Sequence, residues 1–450
     1  MDGRGIAWLL VSAGLMVGCS EPAGTPDETP EALTYFRDVK PIIDAKCRGC
    51  HEPDGIGPFS LTSHDEVSSI AALVDQVIAE GTMPPWLAAP GVRPLRYDTS
   101  LSEDEVATVR AWIAAEAPAG DPEQEGPPLQ VDRGGLSRVD AELAMPEAYT
   151  PTLVPDDYRC FPVEWPFDET VFVTGTAGVP GNPLIVHHHA YYLIPPASRA
   201  TIEGFDEDSE GPGYPCYGGP SLTDSGVSVL ASSIGGWAPG SEGADYPAGT
   251  GLRVEPGSLL LLQVHYNTLA AQAQPDVSRL ALSVESQVDI EAFYTPWLDL
   301  EWAIDGEAMR IPAGEAGVHH WYSATFDEAA IAAIYRPADA DLSRGLFIHS
   351  SYLHMHQLGR TIHLSIERED GTTERVLEFP RWDFNWQREH LFEEPVPVSP
   401  GDRIRVDCWF DNTAEQLARA GRENTTPVDV GFGEGTVDEM CVSFMYMTPQ

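Results

Sequence analysis

The run Gly345-Leu346-Phe347-Ile348-His349-Ser350-Ser351-Tyr352 leads straight into Leu353-His354-Met355-His356. Its aromatic and β-branched residues read as a strand, and residues i and i+2 of a strand share a face. His354 and His356 are therefore expected to present two imidazoles on one side, close enough to bind one metal ion. A lone histidine in a sheet would carry no such weight. Here the pair has company: His187-His188-His189, Gln263-Val264-His265-Tyr266-Asn267 and Asp438-Glu439-Met440-Cys441.

Short apolar runs recur from about residue 146 onward. They include Thr170 to Val173, Leu184 to Val186, Leu259 to Val264, Leu280 to Val284, Thr361 to Ile366 and Arg403 to Val406. Turns rich in Gly, Pro and Asp separate them, which indicates antiparallel β-sandwiches. Some 300 residues exceed one sandwich, so a break near residues 285–300 is expected, giving units 146–292 and 293–450.

The front of the chain differs. Tyr35 to Ile43 begins a helix that runs into Cys47-Arg48-Gly49-Cys50-His51. This is the attachment pattern of a c-type haem: two thiols form thioethers and His51 binds the iron. The sixth ligand has two candidates, His64 and Met83. Met83, in Gly81-Thr82-Met83-Pro84-Pro85-Trp86, is preferred, because the region 31–118 resembles the small class I cytochromes c, whose axial Met lies in such a loop before the last helix. That helix is expected from Ser102 with Glu105 at the capping-box position and an apolar stripe of Val106, Val109, Trp112 and Ile113. A His/Met pair implies electron transfer rather than oxygen binding. Residues 119–145 open on Pro, Gly and Glu and read as a linker.

Residues 1–19 read as a signal peptide. Ile6 to Val17 is too short to span a bilayer, and Leu15-Met16-Val17-Gly18-Cys19 resembles a lipobox with Cys19 as the lipidated residue. Residues 20–30 read as a disordered tether. The expectation is an exported lipoprotein, facing the periplasm or cell surface, that touches the membrane only through its lipid. Acidic residues outnumber basic ones 70 to 26, a net charge of −44, which opposes binding to nucleic acid. With Cys19, Cys47 and Cys50 assigned, Cys160, Cys216, Cys408 and Cys441 remain. Export permits two disulfides among them, in any of three connectivities.

Residues 146–450 resemble the copper type II, ascorbate-dependent monooxygenases, the family of peptidylglycine α-hydroxylating monooxygenase and dopamine β-hydroxylase. Val186-His187-His188 is similar to the family's His-His pair and Gln263-Val264-His265-Tyr266 to its third-ligand motif. His354 and His356, followed by Leu358-Gly359-Arg360, are similar to the histidines of its second site, and Met440 to that site's thioether. The resemblance implies two tandem jelly-roll domains sharing a cleft. His187, His188 and His265 would hold an electron-transfer copper. His354, His356 and Met440 would hold the catalytic, oxygen-activating one. A soft thioether suits Cu(I), the form that meets dioxygen. The pairings it implies are Cys160 with Cys216 and Cys408 with Cys441. His189 alternates away from His188 and is expected to be a supporting or surface residue. His319, His320 and His349 have no partner motif.

The expected architecture is thus multidomain: a small all-α cytochrome c domain followed by two all-β jelly-roll sandwiches, with two copper ions and one haem c. The expected activity is copper-dependent hydroxylation of an unactivated C–H bond of a small organic substrate by dioxygen. Electrons would come from an ascorbate-like reductant or a redox protein, with the haem feeding the His187, His188 and His265 copper. Tyr352, Val442 and Phe444 stand where the peptide hydroxylase has Arg, Asn and Tyr, so a peptide C-terminus is not the expected substrate. The competing reading is a copper-binding, electron-carrying lipoprotein without substrate chemistry, which would consume no dioxygen.

Overall fold

Two serines start the helices that frame the first domain. Ser63 and Ser102 each accept a hydrogen bond from the backbone N–H three residues on, and Glu66 and Glu105 reach back to the serine N–H, so both helices open on a full capping box. In this computed structural model the described residues are 32–53, 55, 57–154, 156–216, 232–268, 271–330, 332–337, 339–422, 424–433 and 437–450. The expected signal peptide, the Cys19 lipidation site and the tether lie outside them. A π-turn over Tyr35–Val39 precedes α1 (Lys40–Lys46), α2 (His64–Ser69), α3 (Ala71–Ala79) and α4 (Glu103–Ala114). They close on a small core that includes Tyr35, Val39, Ile43, Val67, Val109 and Trp112. Of the stripe expected on the last helix, Val109 and Trp112 are fully buried. Among the described residues no helix is long and apolar enough to cross a membrane.

The rest of the chain is β-rich. The first sandwich contains β1 (Ala141–Ala144), β2 (Asp156–Glu164), β3 (Val171–Val179), β4 (Val186–Ile194), β5 (Tyr214–Pro215), β6 (Ser232–Trp237), β7 (Ala244–Asp245), β8 (Thr250–Val254), β9 (Leu259–Asn267) and β10 (Arg279–Glu285). The second contains β11 (Ile290–Trp297), β12 (Ala316–Ala324), β13 (Leu346–His354), β14 (Gly359–Glu367), β15 (Thr373–Phe379), β16 (His390–Val398), β17 (Arg403–Asp411) and β18 (Val442–Pro449). One sheet has the order β5-β2-β9-β4-β6 and another β12-β17-β14-β15. The third runs through both sandwiches as β1-β10-β3-β8-β11-β18-β13-β16, with β7 beside β3.

The join between the sandwiches is a parallel pairing, Ile290↔Thr250 to Ala292↔Leu252. Position 292/293, where the sequence suggested a break, lies inside β11. Ala292 and Tyr294 of that strand enter the first core, Phe293 and Trp297 the second, as strand alternation requires. The helical domain is docked on the second sandwich. Leu95 bridges Phe392, the Arg96 N–H donates to Leu391 O at 2.9 Å and the Ala89 N–H to Glu378 O at 2.8 Å. The Leu95 and Arg96 contacts cover the otherwise open edge of β16, and the Ala89 contact lies on the edge strand β15.

Candidate metal centres and their shared cavity

Regular alternation would turn His187 and His188 to opposite faces. The pairing of β4 with β9 instead steps from Val186↔Tyr266 to His188↔His265, leaving His187 as an inserted residue. This bulge lets consecutive histidines face one point. Nδ1 of His188 lies 3.2 Å from Nδ1 of His187 and 3.3 Å from Nδ1 of His265, and the ligand atoms of all three lie within 4.8 Å of one another. Nitrogens about 2 Å from one metal ion at near-tetrahedral angles have this spacing. The remaining nitrogen of His265, Nε2, sits 2.8 Å from Asp156 Oδ1, which also accepts from Asn267 Nδ2 at 2.9 Å. The Tyr158 ring stacks on His265 with centroids 4.0 Å apart. Burial holds all three imidazoles below their usual pKa, so they are neutral and free to ligate.

The second set forms at the end of β13. His354 is its last residue; His356 lies just beyond, in the turn to β14. The expected single strand face is therefore replaced by a strand end and a turn, and the two rings stand 5.0 Å apart at 80°. Glu439 fixes that turn. Its carboxylate accepts from the His356 N–H at 2.8 Å and the Leu358 N–H at 2.5 Å, and burial lifts its pKa to about 8. His354 Nδ1 meets Gln387 Oε1 at 2.5 Å and His356 Nδ1 meets Asp438 O at 3.1 Å. In both rings Nδ1 is thus engaged with an acceptor, which leaves Nε2 for a metal, the usual division of labour in ligating histidines. Met440 lies in the wall beside them.

The two sets face one another. His188 on one side, and His354, His356 and Met440 on the other, line a single cavity of about 930 Å³ between the sandwiches. Its walls carry many tyrosines, among them Tyr158, Tyr192, Tyr294 and Tyr352, with Arg96, Arg133, Arg388, Glu389 and Glu393 as charged groups. Tyr352 donates to Gln387 Oε1 at 3.0 Å. Ser350 donates to Glu389, whose carboxyl is held above the usual range by burial.

Both disulfides join as the family resemblance implied, Cys160 to Cys216 and Cys408 to Cys441. The second ties β17 to the residue after Met440. Cys47 and Cys50 are not bridged. His51 is buried, and its Nδ1 lies 3.0 Å from Phe59 O, so Nε2 is the nitrogen left for an iron. Unbridged thiols three residues apart and a histidine anchored by one nitrogen suit a covalent haem. His64 does not suit the sixth position: its Nε2 donates to Ala117 O at 2.9 Å and its Nδ1 faces Asp65. Met83 heads the loop whose Pro84 and Pro85 line a small pocket with Cys50.

The other histidines separate from these sites. His189 is not at the surface: it is buried, with Tyr191 Oη at 3.1 Å and Ser278 Oγ at 3.0 Å. His319 pairs with Asp407 and stacks on Trp409, and His320 donates to Arg310 O. His349 lines the cavity and meets Thr448 Oγ1 at 2.8 Å. The supporting roles of Asp156, Tyr158, Gln387 and Glu439 have no sequence signature of their own, because each depends on cross-strand register or on a turn.

Fold and site together define a two-sandwich protein with two histidine-based ligand sets on one cavity. Residues 326–450 match the family model described as the copper type II ascorbate-dependent monooxygenase, C-terminal domain. Dopamine beta-hydroxylase of Bos taurus is 26% identical over 277 residues, 60% of this chain and 40% of that protein. The Equus caballus protein of the same name is 25% identical over 341 residues, 70% and 50%, and that of Homo sapiens 25% over 285 residues, 60% and 39%. The chain thus spans two fifths to half the length of these relatives. The likenesses support the copper monooxygenase family.

Proposed function

We propose that this protein is a copper-dependent monooxygenase that hydroxylates a C–H bond of a small organic molecule held between the sandwiches. The observation that carries the reading is the single cavity bordered by His188 and by His354, His356 and Met440. Copper bound at the two sets would supply one-electron transfer and dioxygen reduction. One oxygen atom enters the C–H bond and the other leaves as water, with two electrons and two protons from a donor.

The chain's own contribution is to prepare and shield the site. Burial keeps the ligand imidazoles unprotonated. Asp156 and Gln387 fix the rotation of His265 and His354. The tyrosine-rich wall offers an enclosed, partly apolar space of a size usual for small-molecule ligands. Tyr352 lies where a substrate-binding Arg would serve a carboxylate, which favours a substrate without a peptide terminus.

The proposal extends to a haem c on Cys47 and Cys50 with His51 and Met83 as axial ligands, supplying electrons to the copper sites, in an exported protein lipidated at Cys19. Mass spectrometry of the denatured holoprotein tests covalent haem. In its spectrum, Met83→Ala should alter the ferric axial-ligand band and His64→Ala should not. The central test is turnover under ¹⁸O-labelled dioxygen with the copper-loaded, reduced protein and a panel of small aromatic and aliphatic compounds. Label in a hydroxylated product supports the oxygenase. Two bound coppers with no dioxygen uptake would favour the electron carrier instead.

A further inference from the structure

One wall of the large cavity is graded along β13 and β18. Ser350, Tyr352 and His354 face it from β13, opposite Tyr446, Phe444 and Val442 of β18. Strand alternation sets them in rows two residues apart. His354 with Val442 is the metal end, and Tyr352 with Phe444 is an aromatic middle, ring centroids 6.0 Å apart. Ser350 with Tyr446 is the far end, four residues of extended strand from the first row, roughly 13 Å.

The far end carries a charge. Ser350 donates to Oε1 of Glu389, and Tyr294 hydrogen-bonds the same carboxyl. Oε2 faces Gly235 of the first sandwich, which at a φ of 106° favours glycine. The position a Cβ would take there has two atoms within 4 Å beyond its chain neighbours, Glu389 Oε2 at 3.5 Å and Thr176 Oγ1 at 3.7 Å. Both are oxygens, so the space beside the carboxyl is a niche of acceptors. Glu389 makes no ion pair among the described residues. Burial raises its pKa, and only the Ser350 and Tyr294 hydrogen bonds act the other way. The three arginines of the cavity are turned to the helical domain and linker: Arg133 donates to Ala45 O, Arg388 packs over Trp86 and Arg96 over Tyr97. An enclosed carboxylate is costly until a cation meets it.

We propose that Glu389 is the seat for the ammonium group of an elongated organic amine, the substrate class of this cavity. Its apolar body lies along Tyr352 and Phe444, and its other end reaches the row of His354. Ammonium donors on a carboxylate make strong, charge-assisted hydrogen bonds, and nearby tyrosine rings favour a cation as well. The span sets the outcome of the chemistry: the hydroxylated carbon is remote from the nitrogen, not beside it. That last step rests on the oxygenase reading above; the seat itself does not.

The test titrates phenylbutylamine and phenylhexylamine, and the alcohols of equal length, into the copper-loaded full chain by calorimetry at neutral pH. In the parent each ammonium should bind about tenfold tighter than its alcohol. Glu389→Gln keeps the shape and an acceptor for Ser350 and Tyr294, and should abolish the preference. Glu389→Asp should retain part of it, and unchanged copper content in both variants shows that they fold. No ammonium preference in the parent overturns the seat without any variant. A preference that persists in Glu389→Gln puts the amine elsewhere, on copper for instance, and overturns it too. Turnover under labelled dioxygen separates the two readings. A Glu389-dependent preference without labelled product keeps the seat and removes the oxygenase; labelled product without the preference does the reverse. Label at the carbon beside the nitrogen overturns the elongated pose.

Discussion

Asp156 Oδ1 lies 2.8 Å from Nε2 of His265, on the side of the ring opposite the three converging Nδ1 atoms. The carboxylate fixes the tautomer and the ring rotation, and makes Nδ1 the better ligand. Partners of this kind typically change metal affinity 10–100-fold when removed. Asp156→Ala is therefore expected to weaken copper at the first set by about one to two orders of magnitude, leaving the second set unchanged. Competition titration with a Cu(II) chelator on apo-reconstituted protein measures this, and equal losses at both sets would contradict the assignment.

The Asp156 contact also marks how far the sequence could be read. The histidine pair at 354 and 356, the recurring short strands and the Ser102 capping box were all legible, because each rests on local periodicity or local hydrogen bonding. Even there the reason differed in detail: His356 faces the site from a turn pinned by Glu439, not from the strand. The convergence of His187 with His188 was legible only through family resemblance. Alternation argues against it, and the bulge that permits it has no local signal. Asp156 and Tyr158 reach the first site across strand register, Tyr158 opposite His265 for example, and Gln387 reaches the second from the loop before β16. Such pairings are fixed by the whole sheet, as is the continuous sheet through β8 and β11.

At the second set, Met440 contributes a soft donor whose preference is for Cu(I). Met440→Leu keeps the volume and removes the sulfur. Cu(II) binding should persist with a Cu(II) EPR spectrum close to the parent's, while Cu(I) affinity falls by an order of magnitude or more. Gln387→Leu differs from it: loss of the acceptor for His354 Nδ1 should weaken both oxidation states. Titration with Cu(I)- and Cu(II)-selective ligands separates the two patterns.

The Cys408–Cys441 disulfide closes a separation of 33 residues, which corresponds to about 3–4 kcal/mol of chain-entropy stabilisation. The double variant Cys408→Ala with Cys441→Ala should lose stability of that order in urea unfolding. Because Cys441 follows Met440 directly, the same variant should weaken Cu(I) at the second set while the first set keeps its copper. Loss of stability with both sets intact would mean that the bridge supports the core alone.

His349 provides a test by pH. Burial lowers its pKa from 6.5 to about 4, and its Nε2 is held against Thr448 Oγ1. In the unfolded chain the ring takes a proton near pH 6.5; in the native protein it does so only near pH 4. Its contribution to stability is therefore complete above pH 6.5 and is lost as the pH falls from 6.5 to 4. Full loss amounts to at most about 3 kcal/mol, since the residue is partly accessible. His349→Gln removes the titration and keeps a side chain able to hydrogen-bond Thr448. Urea unfolding at pH 7 and pH 4.5 should show the variant losing about 2 kcal/mol less than the parent between the two pH values. Equal losses in parent and variant would mean that folding leaves the proton affinity of the ring unchanged.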